Sequence, residues 1–142
     1  MIETSTKMIK IQKLIKDFDN GFQLTVPRLE LSPGETIAIL GKNGAGKTTL
    51  FQLLSGNLDA TTGSILLGEE RISPEHFKAK KKIGYLPQHT SLPHWVTPKD
   101  VLNYAANLYQ LEASSQASQK SLKSWDCLSY ENKPITLCSH GM

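Results

Sequence analysis

Eight consecutive residues, Gly41-Lys42-Asn43-Gly44-Ala45-Gly46-Lys47-Thr48, follow the spacing Gly-x-x-x-x-Gly-Lys-Ser/Thr. No other stretch of the chain restricts its fold as tightly, because the pattern works only between a strand and a helix. Both are indicated. Thr36 to Leu40 directly before it is a short, continuous apolar run, suited to a parallel strand buried on both faces. Lys47 to Ser55 directly after it carries Leu50, Phe51, Leu53 and Leu54 and reads as a helix that Gly56 would end.

Each residue type in the loop has a physical reason. Glycine permits positive φ and a close approach of backbone amides to an anion. Successive amides from Lys42, Asn43, Gly44, Ala45 and Gly46 can form a concave nest for phosphate oxygens. The helix starting at Gly46 adds the partial positive charge of its N-terminus. Lys47 supplies a point charge for the β- and γ-phosphates, and the Thr48 hydroxyl is a hard oxygen ligand for Mg²⁺. Thr49 sits in the first turn, where its amide can reach an α-phosphate. A glycine-rich turn matching by chance is the rival reading, and the flanking strand and helix patterns argue against it. The loop alone leaves kinases, GTPases and transport ATPases open.

The rest of the chain supplies the frame. Met8 to Ile15 alternates, with Ile9, Ile11, Lys13 and Ile15 on one face and Met8, Lys10, Gln12 and Leu14 on the other. Asp19-Asn20-Gly21 signals a turn, and Phe22 to Leu31 a second strand whose Pro27 marks an edge or an irregularity. Ser32-Pro33-Gly34-Glu35 is a further turn. Ser64 to Leu67 and Ile83 to Leu86 read as short strands, stopped by Gly68 and Pro87, and the basic Lys78 to Lys82 run as solvated surface. A helix starts at Thr97, with Thr97 as N-cap, Pro98 at the first position and Asp100 at the third. Its Val101, Tyr104, Ala105, Leu108 and Leu111 recur at helical spacing and predict a buried stripe. Ala113 to Ser124 is a loop or a weak exposed helix.

Composition removes several classes. With 142 residues, 39% of them hydrophobic, the chain can bury a core. A net charge of +3 suits a phosphate ligand but is too small to argue for nucleic acid, and none is expected as a partner. No run approaches the roughly 18 apolar residues of a membrane span. Cys127 and Cys138 have no metal-ligand spacing and fit thiols kept reduced in a cytosol. His76, His89 and His94 likewise show no metal spacing and read as surface, with His89 placed to touch a partner because it follows Gln88.

The segment Gly41 to Leu50 closely resembles the phosphate loop of ATP-binding cassette (ABC) transporter subunits. Further agreements occur in the family's order: Leu31-Ser32-Pro33-Gly34-Glu35, Leu53-Leu54-Ser55-Gly56, Thr62-Gly63-Ser64-Ile65, Ile83-Gly84-Tyr85-Leu86-Pro87-Gln88 and Trp95-Val96-Thr97-Pro98-Lys99-Asp100-Val101-Leu102. The resemblance implies an α/β fold: a phosphate-loop (P-loop) NTPase core with an N-terminal antiparallel β subdomain and an incomplete helical subdomain. Residues 1–7 would be a flexible N-terminus and residues 8–142 one ABC-type domain, incomplete at its C-terminus. The implied cofactors are ATP and Mg²⁺. Phe18 would stack on adenine, and Gln88 would approach Mg²⁺ and the attacking water and sense a membrane partner. Lys47 and Gln88 would serve the reaction, and Thr48 and Gln88 the metal. The implied partners are transmembrane transporter subunits and a second ATP-binding subunit, which would hold the chain on the cytoplasmic face of a membrane.

At the end of the chain, Cys138-Ser139-His140-Gly141-Met142 resembles a divergent form of the family's signature, usually Leu-Ser-Gly-Gly-Gln. Ser139 and the amide of Gly141 would face the γ-phosphate held by a second subunit. In this reading the family's magnesium-binding aspartate, general base and switch histidine lie beyond the chain. Hydrolysis is then expected to be poor or absent, and the protein marginally stable and prone to aggregate. Two alternatives stay open: a non-catalytic nucleotide-binding or regulatory fragment, and a different phosphate-loop enzyme such as a small-molecule kinase.

Overall fold

A β-bulge sets the geometry of the N-terminal sheet. The computed structural model describes residues 8–88, 92–110 and 114–138. The chain divides into two compact units, residues 1–86 and 87–142. In the first, β1 (Ile9–Asp17) and β2 (Gln23–Leu31) form an antiparallel hairpin, in register from Ile9↔Leu31 to Asp17↔Gln23. β3 (Thr62–Leu67) pairs antiparallel on the other side of β1, and the two-residue β4 (Glu70–Arg71) pairs with β3, giving the order β2-β1-β3-β4.

Strict alternation places Ile11 and Leu14 on opposite faces, yet both are fully buried in one core. The reason is a register shift between Gln12 and Ile15, where Lys13 takes φ 48°. One extra residue in β1 returns Leu14 to the face of Ile11. Gly63 lies across from the bulge with φ 83°, and a Cβ there would stand 2.2 Å from the Lys13 carbonyl oxygen. Only glycine fits. Pro27 lies on β2, an edge strand, where its missing N–H disturbs no outer neighbour.

Helix α1 (Lys47–Leu54) lays Leu50 and Leu53 into the same core as Ile11, Leu14 and Ile65. It ends where Gly56, at φ 69°, donates its N–H to the Leu53 carbonyl. The Ser32–Glu35 turn forms as expected, with Gly34 at φ 81° and Glu35 N–H bonded to the Ser32 carbonyl. The Lys78–Lys82 run is solvent-facing but anchored. Helix α2 (Phe77–Lys80) buries Ala79 completely, and Lys82 pairs with Glu70 at 3.0 Å.

Two expected strands are not formed. Thr36 to Leu40 and Ile83 to Leu86 are irregular, with Leu40 and Leu86 each 90% exposed. An apolar run becomes a parallel strand only when a neighbour accepts its ladder hydrogen bonds. Among the described residues neither segment belongs to the sheet.

In the second unit, α3 (Pro98–Leu108) opens on a complete capping box. The Asp100 N–H donates to Thr97 Oγ1 at 3.2 Å, and the Thr97 N–H donates to Asp100 Oδ2 at 3.0 Å. The Thr97 hydroxyl, which donates to Asp100 Oδ2 at 2.6 Å, and then the Thr97 N–H hold the Asp100 carboxyl below its usual pKa, with Lys99 adding to the effect. Lys99 pairs with Glu131 at 2.8 Å, and Ile135 N–H donates to the Val96 carbonyl, tying the later turns to the start of α3.

Residues 114–124 form a helix, α4 (Ser114–Ser124), which contributes buried Ser118 and Leu122. The predicted apolar stripe of α3 is only partly covered, with Val101 and Ala105 half-buried. Tyr104 and Leu108 are 70% and 64% exposed, whereas Ala106 is buried. Helix α4 packs on the side of Asn103, whose Oδ1 accepts the Ser118 hydroxyl at 2.8 Å. Position of the partner, not spacing of the apolar residues, decided which face closed. Leu111, at the end of that stripe, lies outside the described residues.

Candidate nucleotide site

The loop is closed by its own lysine. Lys47 Nζ donates to the Gly41 and Lys42 carbonyls, each at 2.7 Å. The turn between them is pinned by Ala45 N–H to the Lys42 carbonyl at 3.2 Å. Gly44 and Gly46 take φ 80° and 89°, the left-handed region that lets successive amides line one concavity. Gly41 does not have positive φ, and a Cβ there would make ordinary contact with Ala45 at 3.4 Å. Its part in this loop is the carbonyl it gives to Lys47.

Gly46 is also the N-cap of α1, and no side chain caps that end. The first-turn amides therefore have no acceptor from a capping side chain. Lys42, Asn43, Gly44 and Ala45 are exposed, as is the Thr48 side chain, while Thr49 is half-buried. The result is an open rim of N–H donors and a lysine ammonium at the positive end of a helix. An ammonium has three donors. Two are spent on Gly41 and Lys42, which leaves one for a phosphate oxygen.

The hairpin tip stands against this loop. Phe18 N–H donates to the Phe22 carbonyl at 3.0 Å, and Gly21 N–H to the Phe18 carbonyl at 3.0 Å. The rings of Phe18 and Phe22 lie 5.9 Å apart, tilted by 40°. Phe22 and Leu24 in turn press on Gly46: a Cβ there would sit 3.0 Å from Phe22 Cζ and 3.1 Å from Leu24 Cδ1. One face of Phe18 carries the Lys16 ammonium, 5.6 Å from the ring centroid, by a cation–π contact. Phe18 and the phosphate loop, widely separated in sequence, thus belong to one packed assembly through Phe22.

Phe22 escaped the sequence reading. The available signal was a turn, Asp19-Asn20-Gly21, with a phenylalanine on each side, which places both rings at one hairpin tip. Gln88 is an exposed residue at the start of the second unit. His89 and the signature-like residues Ser139, His140 and Gly141 lie outside the described residues, while Cys138 closes the last 3-10 turn (Ile135–Leu137). His76 is exposed with its Nδ1 2.6 Å from Ser73 Oγ, and His94 is exposed.

The donor set also bears on Mg²⁺. Among the described residues no group of three or more His, Cys, Asp or Glu converges to hold a metal. A single hydroxyl such as Thr48 suits Mg²⁺ that arrives on a phosphate chain and keeps most of its other ligands from phosphate and water.

Comparison with known proteins agrees with this geometry. The family model for ABC transporters matches residues 24–142. The uncharacterized ABC transporter ATP-binding protein YxlF of Bacillus subtilis is 36% identical over 102 residues, 71% of this chain and 32% of that protein. A second from the same organism, YhaQ, is 32% identical over 138 residues, 94% of this chain and 45% of that protein. Among solved structures, cbiO1 from Clostridium perfringens, part of the ABC transporter complex cbiONQ, superimposes with TM-score 0.69 at 24% identity. That match covers 94% of this chain and 56% of that one, so the chain spans from about a third to just over half of these three proteins. With a family match from residue 24 to residue 142, the chain belongs to the ABC transporter family of ATP-binding proteins.

Proposed function

We propose that the chain binds MgATP as part of an ABC transporter's ATP-binding subunit. The observation that carries this reading is the Lys47 ammonium, held 2.7 Å from two loop carbonyls beside the uncapped N-terminus of α1. The amides of Lys42, Asn43, Gly44 and Gly46 take the phosphate oxygens, while the Ala45 N–H, bonded to the Lys42 carbonyl, holds the turn. Lys47 neutralises charge on those oxygens, and Thr49 adds a first-turn amide. Mg²⁺, when bound, neutralises the phosphate charge, and Thr48 offers it a hydroxyl. Adenine stacks on the face of Phe18 that Lys16 leaves open. Gln88 serves as the coupling residue between nucleotide and membrane partner.

Phosphoryl transfer to water needs a placed nucleophile as well as compensated charge. These residues supply charge compensation and positioning. Binding is the activity proposed for this chain, with efficient hydrolysis and transport belonging to the assembly. That assembly comprises transmembrane subunits and a second ATP-binding subunit at the cytoplasmic face of a membrane. Among the described residues no helix is long and apolar enough to cross a membrane.

Lys47→Ala tests the reading. Losing one charge-assisted bond to phosphate weakens binding by about 10- to 100-fold, and the Gly41 and Lys42 carbonyls lose their common donor as well. Isothermal titration with MgATP should show this loss. An affinity equal to the parent's refutes the loop assignment, and robust steady-state phosphate release by the parent refutes the assignment of efficient hydrolysis to the assembly.

A further inference from the structure

We propose that Phe22 is a positioning residue of the nucleotide site, setting where the base platform Phe18 stands relative to the phosphate loop. The inference rests on the reading of Phe18 and Gly41–Thr49 as one nucleotide site, and it assigns a role that neither residue can fill alone.

The base and phosphate subsites come from different elements. Phe18 is at the end of β1, and the loop precedes α1. Something rigid must fix the distance between them if one ligand is to engage both. Phe22 has the contacts to do so. Its carbonyl accepts the Phe18 N–H at 3.0 Å, and its own N–H is held by Asn20 Oδ1 at 3.0 Å. Its ring leans on Phe18 at 5.9 Å between centroids. The far edge of the same ring occupies the space where a Gly46 side chain would be, with Cζ and Cε1 at 3.0 and 3.5 Å from that position. Leu24 Cδ1 closes the remaining side at 3.1 Å. The ring therefore stands between the base platform and the pivot glycine of the loop.

Gly46 makes this contact consequential. It holds φ 89° and is the residue from which α1 begins. A displacement of the Phe22 ring would move the hairpin tip relative to that N-terminus. The loop's internal bonds, from Lys47 to Gly41 and Lys42, involve no atom of the hairpin. Perturbing Phe22 should thus misplace the base platform while leaving the phosphate nest intact.

Phe22→Leu keeps apolar bulk against Gly46 and Leu24 and removes the ring edge that meets Phe18. Binding is measured by titration calorimetry with MgATP and, separately, with Mg²⁺ tripolyphosphate, which has phosphates and no base. Expected is a loss of about tenfold for MgATP, the order of one aromatic–base stack, with tripolyphosphate unchanged within about twofold. The double variant Phe18→Ala/Phe22→Leu should bind MgATP no more weakly than Phe18→Ala alone, because Phe22 acts through Phe18. Equal losses for both ligands, or additive losses in the double variant, would show a ring that only packs the core and would overturn the inference. Unchanged MgATP affinity would overturn it too. A parent that binds tripolyphosphate as tightly as MgATP has no base subsite, which removes the role of Phe22 and leaves the loop standing. A parent that binds neither removes both readings.

Discussion

Substituting Gly46 by alanine probes conformation and packing at one atom. The residue sits at φ 89°, ψ 12°, a left-handed geometry that costs an L-residue about 1–2 kcal/mol. The added methyl would lie 3.0 Å from Phe22 Cζ and 3.1 Å from Leu24 Cδ1, against the roughly 3.5–4.0 Å at which carbon atoms attract. Two contacts must therefore open by about half an ångström, and forcing one extra methyl into a packed site costs about 1–3 kcal/mol. Together the two effects give about 2–5 kcal/mol, a large share of the roughly 5–15 kcal/mol that holds a domain together. With a urea slope near 2 kcal/mol/M the unfolding midpoint should fall by about 1–2.5 M. The contributions separate in a double-mutant cycle. Phe22→Ala removes the side chain from the contact, so Gly46→Ala should cost about 1 kcal/mol less in that background. A Gly46→Ala variant within about 0.5 kcal/mol of the parent, or a cycle with no coupling, would refute the contact and the argument built on it.

Two further substitutions test features outside the site. In Gly63→Ala the new Cβ would stand 2.2 Å from a backbone oxygen at φ 83°, which no rotamer can relieve, so the Lys13 bulge must open. A loss of roughly 4 kcal/mol or more is expected in urea unfolding, and a mild effect would show that the bulge is not fixed by this glycine. Asp100 has a carboxyl pKa lowered by the Thr97 bonds. Its contribution is complete above the unfolded value of 3.8 and is lost as pH falls through the lower folded value. Far-UV circular dichroism between about pH 6 and 2 should show helix loss in the parent at acid pH that Asp100→Asn lacks, and identical profiles would refute the charged cap.

How much of the fold was legible depended on how local its causes are. The start of α3 could be read because Thr97, Pro98 and Asp100 complete a cap within one turn. Gly56 could be read for the same reason at the end of α1. The strand β1 was visible from alternation, but the bulge at Lys13 was not, since its cause is a carbonyl pressed toward Gly63 on another strand. Thr36 to Leu40 was apolar enough for a buried strand, yet a strand needs a partner and apolarity does not supply one. Tyr104 was misplaced because helical spacing defines an apolar face without saying which side α4 will cover.

The site divides along the same line, and Gly46 shows why. The candidate loop was legible as a pattern because its glycines, lysine and threonine fall within eight residues, and the structure joins Lys47 to the Gly41 and Lys42 carbonyls. In that reading Gly46 is glycine for the sake of the ligand, so that its backbone can turn toward an anion. The hairpin gives it a second reason. With φ 89° it starts α1, and on its other side the absent Cβ leaves the space that Phe22 and Leu24 fill. A side chain at this position would disturb the loop and the hairpin together. The same glycine therefore shapes the loop and seats the aromatic pair. For that reason the proposed base and phosphate subsites should respond as one body to Gly46→Ala, and separately to Phe22→Leu.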